Sequence, residues 1–274
     1  MSTAAVRPTQ ERVEELRTSL AEIRARVQQA ASANASGGRQ PTLVAVSKYK
    51  PASDILACYE NGQRDFGENY VQELVDKAQQ LPADIRWHFI GTFQTNKSKI
   101  LASIPNLYAL QTVGSAKGAD ALNKQLISRT TTPLNVLLQV NTSGEDVKSG
   151  LPPLTSSPAP PDAELVQLAR HIISSCPHLH LQGLMTIGSL TESLSSVEKP
   201  NEDFEKLKQT RDVLEEALAP EKGKWGEDGR LLLSMGMSSD FEAALRTGSD
   251  IVRVGTGIFG SRPKKEEVKN AAMS

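Results

Sequence analysis

LLLSMGMSSDFEAALRTGSDIVRVGTGIFGSR, residues Leu231–Arg262, decides the fold, because it reads as a strand, a helix and a second strand running into a glycine-rich turn. Leu231-Leu232-Leu233 is a short apolar run that fits a strand buried on both faces, and Ile251-Val252-Arg253-Val254 is again short and β-branched. Between them Ser238, Ser239 and Asp240 offer N-cap side chains to a helix with Phe241, Ala244 and Leu245 at helical spacing. Gly248 is placed to end it. In Gly255-Thr256-Gly257 small residues let backbone N–H groups approach an anion, with Arg253 two residues before and Arg262 just beyond.

The same alternation extends back through the chain. Strand candidates are Thr42–Ser47, Asp65–Glu68, Trp87–Ile90, Leu107–Leu110, Val136–Asn141, Leu181–Ile187, Leu231–Met235 and Ile251–Val254. Helical segments between them include Ala52–Asn61, Tyr70–Gln80, Ser115–Ser128, Ala163–Ser175 and Glu202–Ala219. Alternation of this kind predicts a parallel sheet, and eight units in about 250 residues fit a (β/α)₈ barrel. An open doubly wound sheet satisfies the same pattern. Val13, Leu16, Leu20, Ile23 and Val27 predict an opening helix, and Ala30–Gly38 reads as a flexible linker. Leu151–Pro161, LPPLTSSPAPP, is expected as an exposed, disordered loop, with Ser189–Pro200 and Pro220–Arg230 as further polar connections.

Composition narrows the function classes. The chain has 274 residues, 38% hydrophobic, with 31 basic against 32 acidic side chains and a formal net charge of −1, which gives no electrostatic reason to expect nucleic acid. No apolar run approaches the length needed to cross a bilayer. Cys58 and Cys176 lack metal or redox spacing and are expected as free buried thiols, as in a reducing compartment. The N-terminus has no secretory h-region, and Glu11, Glu14 and Glu15 argue against a transit peptide, so a cytoplasmic location is expected, with a mitochondrial pool left open.

In a closed barrel the eighth strand lies beside the first, which brings the turn at Gly255 next to Lys48, directly after TLVAVS. An amine beside a phosphate site suggests an imine with a phosphorylated aldehyde or ketone; desolvation and a neighbouring cation such as Arg253 favour the neutral nucleophile. A solvated or ion-paired lysine is the plainer reading of Lys48 alone.

VAVSKYKP at Val44–Pro51, FGENYVQE at Phe66–Glu73, WHFIGTFQTNK at Trp87–Lys97, QVNTSGEDVKSG at Gln139–Gly150 and GLMTI at Gly183–Ile187 together resemble the YggS/PROSC family of pyridoxal 5′-phosphate homeostasis proteins, over about Thr42 to Arg262. The resemblance implies a single (β/α)₈ TIM barrel of the fold type III class that binds pyridoxal 5′-phosphate (PLP), like the N-terminal domain of alanine racemase, with an extra N-terminal helix. It divides the chain into an N-terminal helix and linker, residues 1–40, and a cofactor-binding barrel, residues 41–274. It makes Lys48 the Schiff-base lysine. Gly255 and Thr256 then hold the cofactor phosphate through N–H groups and a hydroxyl, Ser238 adds a second hydroxyl, and Ser234 and Met237 line the site. Arg253 is placed like the arginine that faces the pyridine nitrogen, where a fixed cation weakens the ring as an electron sink. A salt bridge inside the barrel is the other reading of Arg253.

Asn69 is expected either to bond the cofactor's ring hydroxyl or to cap the following helix. His88 is read as a core histidine or a pocket wall, Thr92 as a helix cap followed by Asn96 and Lys97 in the first turns with a direct cofactor contact as the lesser reading, and Lys148 as a solvated side chain beside Glu145 and Asp146 or a second amine at the barrel mouth. The chain stops at Ser274 with no β domain to supply a tyrosine base, and Tyr49, next to Lys48 on a strand, is expected to point to the opposite face. No two-base racemisation is expected. The leading expectation is a non-enzymatic carrier that stores PLP and delivers it to apo-enzymes through transient contacts, as a monomer and with no nucleic-acid or membrane partner. The alternatives are a PLP-dependent amino-acid racemase or decarboxylase working with a lysine base, and a Schiff-base aldolase acting on a sugar phosphate.

Overall fold

A computed structural model describes residues 7–32, 39–128, 132–145, 148–189 and 201–261. Expectations for Arg262, Asp146, residues 33–38 of the linker and residues 190–200 fall outside the described residues.

Eight strands follow in chain order: β1 Thr42–Val46, β2 Asp65–Glu68, β3 Arg86–Phe89, β4 Leu107–Val113, β5 Leu134–Gln139, β6 Leu179–Met185, β7 Leu232–Ser234 and β8 Ile251–Val254. They form a closed barrel in which every strand pairs in parallel with the next. Closure is set by β8 against β1, with Thr42 opposite Ile251 and Ala45 opposite Val254, and it excludes the open sheet. The helices are α1 Gln10–Ser32, α2 Ala52–Glu60, α3 Val71–Gln80, α4 Ser98–Ala102, α5 Ala116–Gln125, α6 Glu164–Ser175, α7 Glu202–Ala217, α8 Phe241–Thr247 and α9 Thr256–Phe259. Gly248 takes the left-handed conformation, φ 109°, and ends α8 as expected.

Two apolar layers result from strands buried on both faces. Val44, Ala109, Leu137, Met185, Leu232 and Ile251 pack inside the barrel. The larger core lies between the barrel and the helices. There α1 buries Leu16, Leu20, Ile23, Val27 and Ala30, spaced four and three apart so that they share one face. That face packs on α2, α8 and α9, which flank the β8–β1 seam. Fully burying each leucine or isoleucine is worth about 1.5–3 kcal/mol, so α1 fastens the place where the barrel closes.

The loop Leu151–Pro161 departs from expectation. Leu151 and Leu154 are buried, Leu151 pairs with Val140, and the Leu154 N–H donates to Thr210 Oγ1 at 3.2 Å. Its prolines forbid a regular element, but two leucines anchor it to the core. Cys58 and Cys176 are free and buried. No helix of the described residues is long and apolar enough to cross a membrane.

Candidate functional site at the carboxyl end of the barrel

Strand β1 ends at Val46, and Ser47 is buried directly after it. Lys48 and Tyr49 then form a turn, with Lys48 half-buried and Tyr49 at φ 63°. Tyr49 therefore does not follow strand alternation: it stands exposed, and its hydroxyl meets that of Tyr70. The register that sets Ala45 opposite Val254 puts Val46 opposite Gly255, and a Cβ on Gly255 would lie 3.2 Å from the Val46 carbonyl oxygen. The glycine turn and Lys48 thus leave adjacent strands on one mouth of the barrel. A second fastening comes from Lys50, whose Nζ donates to the carbonyls of Phe259 at 3.0 Å and Ser261 at 2.9 Å, just beyond the turn.

The turn itself is built differently from the sequence reading. Gly257 makes room for α1, since a Cβ there would meet Ile23 Cδ1 at 3.0 Å and Val254 Cγ1 at 3.1 Å. Ser238 does not cap α8; its Oγ accepts the Gly255 N–H at 3.1 Å, and the N-cap residue, Asp240, instead accepts the Met237 N–H at 2.6 Å. Ser238 so joins the glycine turn directly. Met237 is half-buried and the Thr256 hydroxyl side chain is exposed.

Arg253 points into the barrel. Its Nη1 donates to Ser234 Oγ at 2.7 Å and its Nη2 to the Thr186 carbonyl at 2.7 Å. No carboxylate of the described residues lies within salt-bridge distance, so the salt-bridge reading fails. Burial pushes the guanidinium down to about 10, opposed by Asp240, and leaves it a cation at neutral pH. From Ser234 a row of hydrogen bonds crosses the interior: Ser234 Oγ to Gln111 Oε1 at 2.7 Å, Gln111 Nε2 to His88 Nδ1 at 3.0 Å, and His88 Nε2 to Asp65 Oδ1 at 3.0 Å. Burial alone would raise the Asp65 carboxyl, but hydrogen bonds from His88 and Arg86 outweigh it and hold it below the ordinary range. Asp65 is then an acceptor, and His88 Nε2 donates to it. His88 is a satisfied core histidine.

Asn69 is half-buried, and its Oδ1 is a buried acceptor without a donor among the described residues. It does not cap α3, whose N-cap residue is Tyr70 with no side-chain cap, and Thr92 likewise caps nothing, because the following turn starts after Gln94. On the same mouth a cavity of about 230 Å³ is lined by residues including Thr92, Gln139, Asn141, Lys148, Thr186 and Gly188. Lys148 is partly buried there and donates to Glu145 Oε1 at 2.6 Å and the Gly188 carbonyl at 2.8 Å. The structure thus gathers Lys48, Gly255, Thr256, Ser238, Arg253 and Ser234 around the β1, β7 and β8 ends.

These groups suit a phosphorylated pyridine aldehyde: an amine, a glycine turn flanked by the hydroxyls of Ser238 and Thr256, a buried cation that only donates, and a buried oxygen suited to a ring hydroxyl. Sequence reading missed Gln111 and Thr186, which orient Arg253, and a group of buried Glu68 and Lys77 with half-buried Glu73 under the Lys48 turn. The signal the sequence holds for it is the four-residue spacing of Glu73 and Lys77, which ordinary helix pairs share.

Comparison with known proteins gives the family and the fold. The family model described as the alanine racemase N-terminal domain matches residues 18–263. A relative from Schizosaccharomyces pombe named pyridoxal phosphate homeostasis protein is 41% identical over 244 residues, 89% of this chain and 92% of its own. The Homo sapiens protein of the same name is 44% identical over 230 residues, 81% of this chain and 77% of its own. Among solved structures, PipY of Synechococcus elongatus with PLP bound is similar at a TM-score of 0.64 and 29% identity, covering 89% of this chain and all of that one. The chain belongs to the family of pyridoxal phosphate homeostasis proteins, built on the barrel of the alanine racemase N-terminal domain.

Proposed function

We propose that this protein binds pyridoxal 5′-phosphate as a Schiff base on Lys48 and serves its intracellular homeostasis by storing and delivering it, without catalysing a reaction. The observation that carries the reading is Arg253: a buried guanidinium with no carboxylate of the described residues within salt-bridge distance, on the strand that leads into Gly255 and pairs with the strand leading to Lys48. Relatives named for PLP homeostasis and the PLP-bound PipY support the cofactor. When bound, the group supplies a reactive aldehyde and an electron-accepting ring. Lys48 offers the amine, Gly255, Thr256 and Ser238 the phosphate contacts, Asn69 an acceptor for a ring hydroxyl, and Met237 and Ser234 the walls.

Arg253 supports holding over turnover. A guanidinium directed at a pyridine nitrogen cannot give up its proton, so the ring is kept a weak electron sink. In this reading residues 41–274 hold the cofactor, residues 1–40 supply a helix and linker, the protein works as a cytoplasmic monomer, and its macromolecular contacts are brief ones with apo-enzymes.

Borohydride reduction of purified protein loaded with PLP, followed by peptide mapping, tests the site. Label on Lys48 and loss of the visible Schiff-base band in Lys48→Ala are expected; label on another lysine overturns the assignment. Turnover of an amino-acid panel that disappears in Lys48→Ala would replace the carrier with an enzyme.

A further inference from the structure

Beneath the Lys48 turn lies a second lysine with the opposite design. Lys77, on α3, is buried, and its ammonium donates to the Ser47 carbonyl at 2.8 Å, to Glu68 Oε1 at 2.6 Å and to Glu73 Oε1 at 2.6 Å. An ammonium has three hydrogens, and all three are used. Lys77 is therefore no nucleophile. Its two carboxylates reach the residues on either side of Lys48: Glu68 Oε1 accepts the Ser47 hydroxyl at 2.6 Å, and Glu73 Oε1 accepts the Tyr49 N–H at 2.6 Å. Ser47 is further held by its N–H on the Gly67 carbonyl at 3.0 Å.

Tyr49 shows what the grip does. At φ 63° it adopts the left-handed conformation that residues with a Cβ avoid, so the turn needs an external hold to persist. Glu73 supplies that hold at the Tyr49 amide, and Lys77 fixes Glu73 and the Ser47 carbonyl at once. A salt bridge that only stapled α3 to the barrel would have no reason to engage the backbone on both sides of one lysine.

We propose that Lys77, Glu68 and Glu73 are positioning residues for Lys48: they clamp Ser47 and Tyr49 so that the turn presents the amine toward the Gly255 turn. The proposal rests on the Schiff-base reading of Lys48 and extends it to residues that touch no cofactor. Its consequence is kinetic. Loss of the clamp slows capture of the aldehyde, because Lys48 then samples orientations that cannot react.

The test uses the full chain with PLP. Wild type is reduced with borohydride first, and label elsewhere than Lys48 rejects the Schiff-base reading itself, independently of the clamp. Glu73→Ala is then expected to expose the Tyr49 amide to rapid hydrogen exchange in the ligand-free protein and to slow appearance of the visible band about tenfold, with label still on Lys48. Adding Tyr49→Gly to Glu73→Ala restores much of the rate, because glycine takes positive φ without help; a mere staple of α3 would not respond to position 49. Wild-type capture by Glu73→Ala, or no rescue by Tyr49→Gly, overturns the proposal. Should Glu73→Ala fail to fold, Glu73→Gln, which keeps the shape but not the charge, is expected to slow capture about threefold, and an unchanged rate rejects the clamp.

Discussion

Gly91 lies against the backbone of Asn69 so closely that a Cβ at position 91 would stand 1.9 Å from the Asn69 carbonyl oxygen. The obstacle is main chain at the end of β2, so no rotamer change relieves it. Gly91→Ala is expected to destabilise the fold by about 3 kcal/mol or more, the scale of severe overpacking, and to displace Asn69 from the barrel mouth. A urea midpoint equal to wild type would contradict the close approach.

Ser234 links Arg253 to Gln111. In Ser234→Ala the guanidinium loses an acceptor and Gln111 Oε1 loses its donor, both inside the barrel. About 2 kcal/mol or more of stability should disappear, since each buried group left unpaired costs roughly 1–3 kcal/mol. Equilibrium urea unfolding of the two proteins measures it, and a change below the experimental error would mean that water replaces the hydroxyl without loss.

Burial pushes the Glu68 carboxyl up to about 7, against the opposing pull of Lys77 and Ser47, while Glu73 adds to the rise. The sign follows from proton uptake on folding: between the unfolded value near 4.5 and about 7 the native protein binds the proton that the unfolded chain has lost. The contribution of Glu68 to stability therefore falls as pH rises through that window and is constant above it. Its full size is on the order of 3 kcal/mol, from the shift at about 1.4 kcal/mol per unit. Unfolding free energies of wild type and Glu68→Gln across the window should show a shallower pH dependence in the variant; parallel curves would remove Glu68 as the cause.

Burial, with Asp54 adding to it, raises the Cys58 thiol to about 12, and burial with Asp120 raises Cys176 to about 11. Because the thiolate is the reactive form, both should resist a thiol reagent at neutral pH in the native protein and react fully in urea. Fast labelling of either thiol in the folded state would show that its helix opens readily.

Much of this architecture was readable because buried parallel strands are written as apolar runs. Asp65–Glu68 and Ile251–Val254 match the observed β2 and β8 residue for residue, whereas β5 and β6 begin two residues before the apolar runs read for them. The pairs Leu134–Leu179 and Asn135–His180 extend the strands, and the polar Asn135 and His180 separate those leucines from the apolar runs that follow. At the site, Lys48, Arg253 and Gly255 were legible because each stands at or near a strand end. Lys77 was not, since its partners Ser47 and Glu68 lie 30 and 9 residues away and meet it only once α3 folds back on β1 and β2. Ser238 carried a cap signal that tertiary structure redirected to Gly255.

The row from Arg253 through Ser234, Gln111 and His88 to Asp65 begins at a group that can only donate and ends at one that can only accept. Both ends are therefore fixed by their chemistry, and the links between them come from β7, β4 and β3. The direction in which Arg253 points at the Lys48 mouth thus depends on side chains from strands across the whole barrel, so a substitution at the far end, at Asp65 or His88, reaches the site without touching it.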